Sequence, residues 1–436
     1  MHRFIAGFCG RSDWWKNLAL VLVSIAVTLA GIEWLLWRPN LMLVPPYLQA
    51  QLGRIAPFAQ TSKAEIRPAS DYVMLVGDSF AEGLGDWMMQ ALAQNRRKYS
   101  AAHVLNDITK RDILTIGMRG GNPLETYVMR TTEVMTGLNQ YVDIDLAGPK
   151  DLVVFFTEGN DVSDTTALFV HSLSETYPLS CTEDDACIDR VIAELSAGVV
   201  RETERRWHLF RNFNVVDTAL KLVKIMAKNF NRGQGIFQSD DPAYYVANEY
   251  QEHWERYDAS PTRIWVGRHS GAYPAETVEP FAFHSSAEIE GAANVFGRSL
   301  AYIKAYLKPE RVFAVYIPTP AIAYRLEGPI KIRDRIRFNR EEERPGDPVE
   351  FTENDLIAKS QEICTAVEAR AVQNGTVFID MRPGLRALTA ERGYVHGPND
   401  PGHFNERGYT ALAEMIAESL KTGRGISCGL TAGGEG

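Results

Sequence analysis

The stretch Val73-Met-Leu-Val-Gly-Asp-Ser-Phe80 opens as an apolar run and stops abruptly at Gly77-Asp78-Ser79. A short run of this kind reads as a strand buried on both faces, the pattern of parallel sheets. In open α/β sheets the ligand crevice lies outside the carboxyl ends of the strands, so Ser79 stands where a nucleophile is expected. Gly83 and Gly85 then allow a tight turn before the helical pattern Asp86-Trp-Met-Met-Gln-Ala-Leu-Ala-Gln94. Taken alone, a serine at a strand-to-helix turn is ordinary turn chemistry.

A second stretch near the other end, Asn399-Asp-Pro-Gly-His-Phe-Asn-Glu-Arg-Gly-Tyr409, supplies Asp400 and His403 on one turn ahead of an apolar-periodic helix. A serine hydroxyl is a weak nucleophile until a base takes its proton. The base in turn needs an acid that fixes its tautomer and stabilises the imidazolium. Asn405 is placed to cap the helix that follows. Between the two lie Ile113-Leu-Thr-Ile-Gly-Met-Arg-Gly-Gly121, a strand running into a glycine cluster, and Leu152-Val-Val-Phe-Phe-Thr-Glu-Gly-Asn-Asp161, a strand ending in a side-chain amide. Each offers N–H donors for an oxyanion, often the largest single catalytic contribution. Taken singly, Gly120 reads as turn chemistry, Asn160 as a loop cap and His403 as a loop histidine.

In this order the four stretches resemble the SGNH hydrolases, also called GDSL esterases and lipases. Gly77-Asp78-Ser79 matches the nucleophile block, Gly117-Met-Arg-Gly120 the glycine block, Gly159-Asn160-Asp161 the asparagine block and Asp400-Pro-Gly-His403 the terminal block. The resemblance implies Ser79 as nucleophile, His403 as base and Asp400 as its orienter. It implies an oxyanion hole of the Ser79 N–H, the Gly120 N–H and the Asn160 amide, with Asp78, Gly117, Gly121 and Asp161 as neighbours. Glu158 departs from the pattern, standing where the asparagine block usually has its first glycine.

Residues 1–16 carry Arg3, Arg11 and Lys16 against the single acid Asp13, and residues 17–37 are apolar except for Glu33. That length suits one membrane-spanning helix, and the basic flank places it with the N-terminus in the cytoplasm and Ser79 outside. A cleaved signal peptide is the rival reading, because Thr28-Leu-Ala30 loosely resembles a processing site. The apolar stretch runs past that point through Trp34 and Trp37, which favours an uncleaved anchor in a bacterial inner membrane.

The whole chain has a net formal charge of −9 and no basic stripe, which gives no support for nucleic-acid binding. Of five cysteines, Cys181 and Cys187 are close enough to close a small loop in an oxidising compartment or to stay free thiols, whereas Cys364 and Cys428 read as singletons. Neither a Cys-x-x-Cys pair nor a His-Glu-x-x-His helix is present, so no metal site or cofactor is expected.

Residues 38–70, with Pro45 and Pro46, read as a linker. Residues 71–164 form the first half of a core: strand 72–77, helix 85–98, strand 112–116, helix 122–139 and strand 151–156. Residues 165–290 break this alternation with the helical pattern Val191 to Lys228 and an aromatic segment holding Tyr244, Tyr245, Trp254 and Trp265; they read as a helical insertion. Residues 291–421 resume the core with helix 291–307, strand 311–317, an Arg/Glu-rich surface loop near 330–348, helix 353–373, strand 376–380 and a last helix to Lys421. Residues 422–436 read as a flexible tail. Alternation of this kind implies an α/β fold with a parallel sheet of about five strands, flavodoxin-like, which is also what the resemblance implies. His269, His284 and His396 fall in loops, the last close enough to the terminal block to line a site.

The expected function is a serine-dependent ester hydrolase or O-acyltransferase on O-acylated envelope or extracellular carbohydrate. A non-catalytic scaffold of an envelope polysaccharide machine and a lipid-directed lipase or thioesterase are the alternatives. Spacing does not separate hydrolysis from transfer, since both use one acyl-enzyme.

Overall fold

A computed structural model describes residues 9–43, 57–94, 96–141, 146–205, 262–267, 269–273, 276–277, 279–332 and 347–430. The apolar runs that lack alternation form the central sheet: β1 (Val73–Gly77), β2 (Ile113–Gly117), β3 (Asp151–Thr157), β4 (Arg311–Ile317) and β5 (Val377–Asp380). All are parallel, in the order β2-β1-β3-β4-β5. Every residue of β1 and β3 is buried, as strands covered on both faces require. The chain steps outward from β1 to β2 and then returns to the other side of β1, so β1 and β3 flank a topological switch point. In open α/β sheets such a point, at the carboxyl ends of the strands, is where a ligand crevice is expected.

Helices pack beside the sheet in pairs, Ala101–Thr109 with Glu406–Thr422 and Ser286–Leu307 with Glu353–Gln373. Their starts are written locally. Ser285 and Thr352 each form a capping box, with Glu288 and Asp355 respectively, and the Asn405 side chain accepts the N–H groups of Arg407 and Gly408. The expected helix 85–98 is shorter, Asp86–Ala93, and the sequence reading missed Ala101–Thr109, which begins after Ser100.

Neither edge of the sheet is bare. Residues 57–70, the later part of the expected linker, lie along β2: the Gln60 side chain brackets Thr115, accepting its N–H and donating to its C=O, both at 2.9 Å. Ser62 accepts the N–H of Ile113 on its backbone and donates its hydroxyl to the Ile113 C=O. At the far edge the described part of the expected tail, residues 423–430, is also docked. Ile426 bridges Ile379, its N–H donating to Phe378 O and its O accepting from Asp380 N, both at 2.8 Å. Cys428 is disulfide-bonded to Cys364 on the helix behind, so these two cysteines are not singletons. Cys181 and Cys187 form a second disulfide.

The segment 165–290 is not purely helical among its described residues. After the helix Asp185–Arg205, the strands Arg263–Val266 and His269–Ala272 pair antiparallel, and Arg325–Leu326 joins them. Glu276–Thr277 pairs with Ile330–Ile332, which pairs with Val349–Phe351, so the surface-loop region near 330–348 begins inside a small sheet. Runs of two to four residues are too short for periodicity to register. Tyr244, Tyr245 and Trp254 lie outside the described residues.

Near the N-terminus the helix Cys9–Gly31 continues into the turns Ile32–Trp37 and Arg38–Leu43. Within it Trp14–Gly31 is long and apolar enough to cross a membrane, with Leu20, Val21, Leu22, Val23, Ile25 and Val27 all exposed.

Candidate active site

Everything converges on the end of β1. Gly77 lets that strand pass so close to β3 that a Cβ would lie 2.8 Å from Phe155 Cβ. Asp78 then caps the short helix Ser79–Glu82, one carboxylate oxygen accepting the Phe80 N–H at 3.0 Å, and this cap sets the direction of Ser79. Ser79 Oγ lies 2.9 Å from His403 Nε2, and His403 Nδ1 lies 2.7 Å from Asp400 Oδ2. The three residues form one continuous hydrogen-bonded chain although the serine and histidine are 324 positions apart.

The turn carrying the pair is closed on itself: the Gly402 N–H donates to Asp400 Oδ1 and the His403 N–H to the Asp400 carbonyl. It is also held from outside, because Asp86, at the start of the next helix, accepts the N–H groups of Asn399 at 2.8 Å and Asp400 at 2.9 Å. Burial disfavours charge on His403, yet the hydrogen bond and charge of Asp400, helped by Asp78 and opposed by Arg119, leave its pKa above the ordinary imidazole value. For Asp400 burial acts upward, but the His403 hydrogen bond and charge outweigh it and hold the carboxyl below its usual range.

The segments that carry the expected oxyanion donors are tied to the Ser79 segment. Asn160 opens the helix Asp161–Ala167, and its amide Nδ2 donates to Asp78 Oδ2 at 3.1 Å, which ties it to the residue beside Ser79. The glycine turn is joined to β1 through the Met118 N–H on the Gly77 carbonyl. Gly120 sits at φ +61°, in the left-handed region, and Gly117 packs so tightly that a Cβ would lie 2.7 Å from Glu82 N. Arg119, between them, makes a two-pronged ion pair with Glu82 on the Ser79 helix.

Asp78 and Asp161 are both buried, and burial pushes both carboxyls up; the Asp78 charge pushes Asp161 further. Asp78 accepts two N–H groups, from Phe80 and Asn160, whereas Asp161 accepts one, from Thr157. By donor count Asp78 is the better-stabilised anion of the two. Glu158, at the position where the motif has glycine, accepts the Tyr316 hydroxyl at 2.8 Å and the Thr319 N–H at 3.0 Å, fastening the asparagine block to the end of β4.

Of the loop histidines expected from sequence, His396 is buried beside Phe404, with Nδ1 3.1 Å from the Tyr324 hydroxyl, and burial drives its pKa down to about 3. His284 is buried against Ser163, and His269 lies exposed on a strand rather than in a loop. Among the described residues the one grouping compact enough for a metal is Cys364, Asp380 and Cys428; its two sulfurs are bonded to each other and Asp380 is held by Arg382, so it is not a ligand set. Sequence reasoning missed Asp86, Glu158 and Tyr324 as supports of the site. An acid opening a helix is common, Tyr324 carries no local signal, and Glu158 stands out in sequence only as a departure from the motif.

Comparison with known proteins gave no matching family model, no similar curated protein and no similar solved structure.

Proposed function

We propose that this chain is a serine esterase or O-acyltransferase of the SGNH type, built on a flavodoxin-like sheet. The observation that carries the reading is the unbroken Ser79–His403–Asp400 hydrogen-bond chain at the carboxyl end of β1. Ser79 Oγ attacks an acyl carbonyl while His403 Nε2 takes its proton, and Asp400 holds the Nδ1–H tautomer and stabilises the imidazolium. Negative charge on the carbonyl oxygen meets the Ser79 and Gly120 N–H groups and the Asn160 amide, whose other proton is fixed on Asp78. Collapse expels the alcohol, protonated by His403, and leaves an acyl-Ser79 ester. A water or a sugar hydroxyl, deprotonated by His403, then takes the acyl group. No cofactor enters this scheme.

The apolar helix ahead of the core, with its basic flank, supports a single-pass anchor in a bacterial inner membrane, N-terminus cytoplasmic and active site outside. Two disulfides support the same placement, since they persist in oxidising compartments. An envelope setting favours O-acylated carbohydrate as substrate.

The test is turnover of p-nitrophenyl acetate by the detergent-solubilised full chain, followed by intact mass after exposure to acetylated polysaccharide. The expected result is an acetyl adduct on Ser79 that is absent from Ser79→Ala. No Ser79-dependent turnover and no adduct would instead favour a scaffold, and a preference for long acyl chains would favour a lipase or thioesterase.

A further inference from the structure

We propose that Asp86 is a positioning residue for the acid–base pair, clamping the Asp400–His403 turn against the segment that carries the nucleophile. The inference rests on the esterase reading above. Asp86 is buried, and its two oxygens take separate N–H groups, Oδ2 from Asn399 and Oδ1 from Asp400. The clamp therefore grips the backbone of the catalytic acid and leaves the Asp400 side chain for His403.

The surrounding chain is shaped for the same contact. Gly85, at φ +137°, brings its backbone so close to the turn that a Cβ would lie 2.6 Å from Phe404 O and 3.0 Å from His403 Cβ. Leu84 accepts the Tyr409 hydroxyl through its carbonyl, so residues 84 to 86 contact the terminal block both at the turn and in the helix after it. Ser79 lies just upstream on the same segment, which fixes its distance to His403 through a short length of chain. A charged acceptor taking two N–H groups is stronger than neutral pairing, and its removal strands both donors.

The consequence reaches the protonation of His403, because the 2.7 Å contact with Asp400 opposes the burial of that ring. The groups facing His403 are Asp400 on its own turn, Asp78 at the end of β1, Arg119 on the glycine turn and His396 across the loop. Of these, Asp400 is the one that Asp86 holds directly, through its backbone N–H. A turn that loosens weakens the Asp400 contact, lowers the His403 pKa and misaligns the base on Ser79.

The experiment measures kcat, KM and the acidic limb of kcat/KM for p-nitrophenyl acetate with the full chain in detergent, comparing Asp86→Ala and Asp86→Asn with the parent. The expected result is a plateau kcat lower by about ten- to a hundredfold in Asp86→Ala, with KM little changed and the acidic limb displaced to lower pH. Asp86→Asn, which keeps one acceptor, falls between, and it carries the test if the alanine variant does not fold. A lowered melting temperature with plateau kcat and limb equal to the parent's would make Asp86 purely structural and overturn the proposal. Failure of the esterase reading is distinct: Ser79→Ala would then be as active as the parent.

Discussion

At the scale of single residues the site makes claims that differ in kind. Ser79→Ala and His403→Ala should each lower kcat by about three orders of magnitude or more, and the double variant should be no worse than either, because triad members act as a unit. Additive losses would place His403 in another role. His403 must be neutral to accept the serine proton and its pKa is raised, so activity should be lost as pH falls through a midpoint above that of a free histidine. The acidic limb of kcat/KM reads that midpoint. The buried acids behind the oxyanion donor should separate as well. Asp78→Asn allows the Asn160 amide to turn over and should cost kcat on the order of a hundredfold, as for loss of one oxyanion donor. If Asp161 is the acid that holds the proton, Asp161→Asn mimics it and should cost little; the reverse order of losses would put the proton on Asp78. That Ser79, Asp400 and His403 meet was legible in sequence because the proposed chemistry restricts residue type. Asp86 and Glu158 were not, because a carboxylate acting on backbone N–H groups leaves no pattern.

Among the elements, the strands of the central sheet and the helix Glu353–Gln373 could be read from the chain because they are long or uniformly apolar. The segments that finish the sheet could not. Residues 57–70 are mixed in composition and Gly423–Leu430 is glycine-rich, yet they cover β2 and β5, where unpaired strand edges would otherwise invite association. Their assignment depends on backbone groups across the fold, which composition does not carry. The Cys364–Cys428 disulfide holds the second of these segments and closes a span of 64 residues. Replacing both cysteines by serine should lower unfolding free energy by about 2–4 kcal/mol, more than the same change at Cys181 and Cys187, whose span is 6 residues. Denaturant midpoints at constant m-value measure this. An unchanged midpoint would mean that the Ile426 ladder holds the edge unaided.

For the molecule as a whole the open matter is how a polymeric substrate would be held, and the small sheet beside the core offers one surface. Trp265 is 39% exposed on the strand Arg263–Val266, with Ser270 and Arg325 as its neighbours across the two pairings. The opposite side of the same sheet is buried through Ile264 and Leu326. The sheet is fastened to the chain that leads into the Asp400–His403 turn, by the Gly267 N–H on Thr389 O and the Tyr394 hydroxyl on Ala272 O. Tyr394 in turn accepts the Asn405 amide through its carbonyl, beside His403. An indole next to a hydroxyl and a guanidinium suits a sugar ring, and binding energy from remote parts of a substrate contributes to turnover as well as affinity. Trp265→Ala should therefore lower kcat/KM on an acetylated polysaccharide by about tenfold while leaving p-nitrophenyl acetate unchanged, since the small ester needs only the triad and the oxyanion donors. An exposed indole contributes little to the core, so melting should be unaffected. Equal losses on both substrates would mean that the sheet shapes the catalytic pocket, and no loss on either would leave Trp265 as surface packing alone.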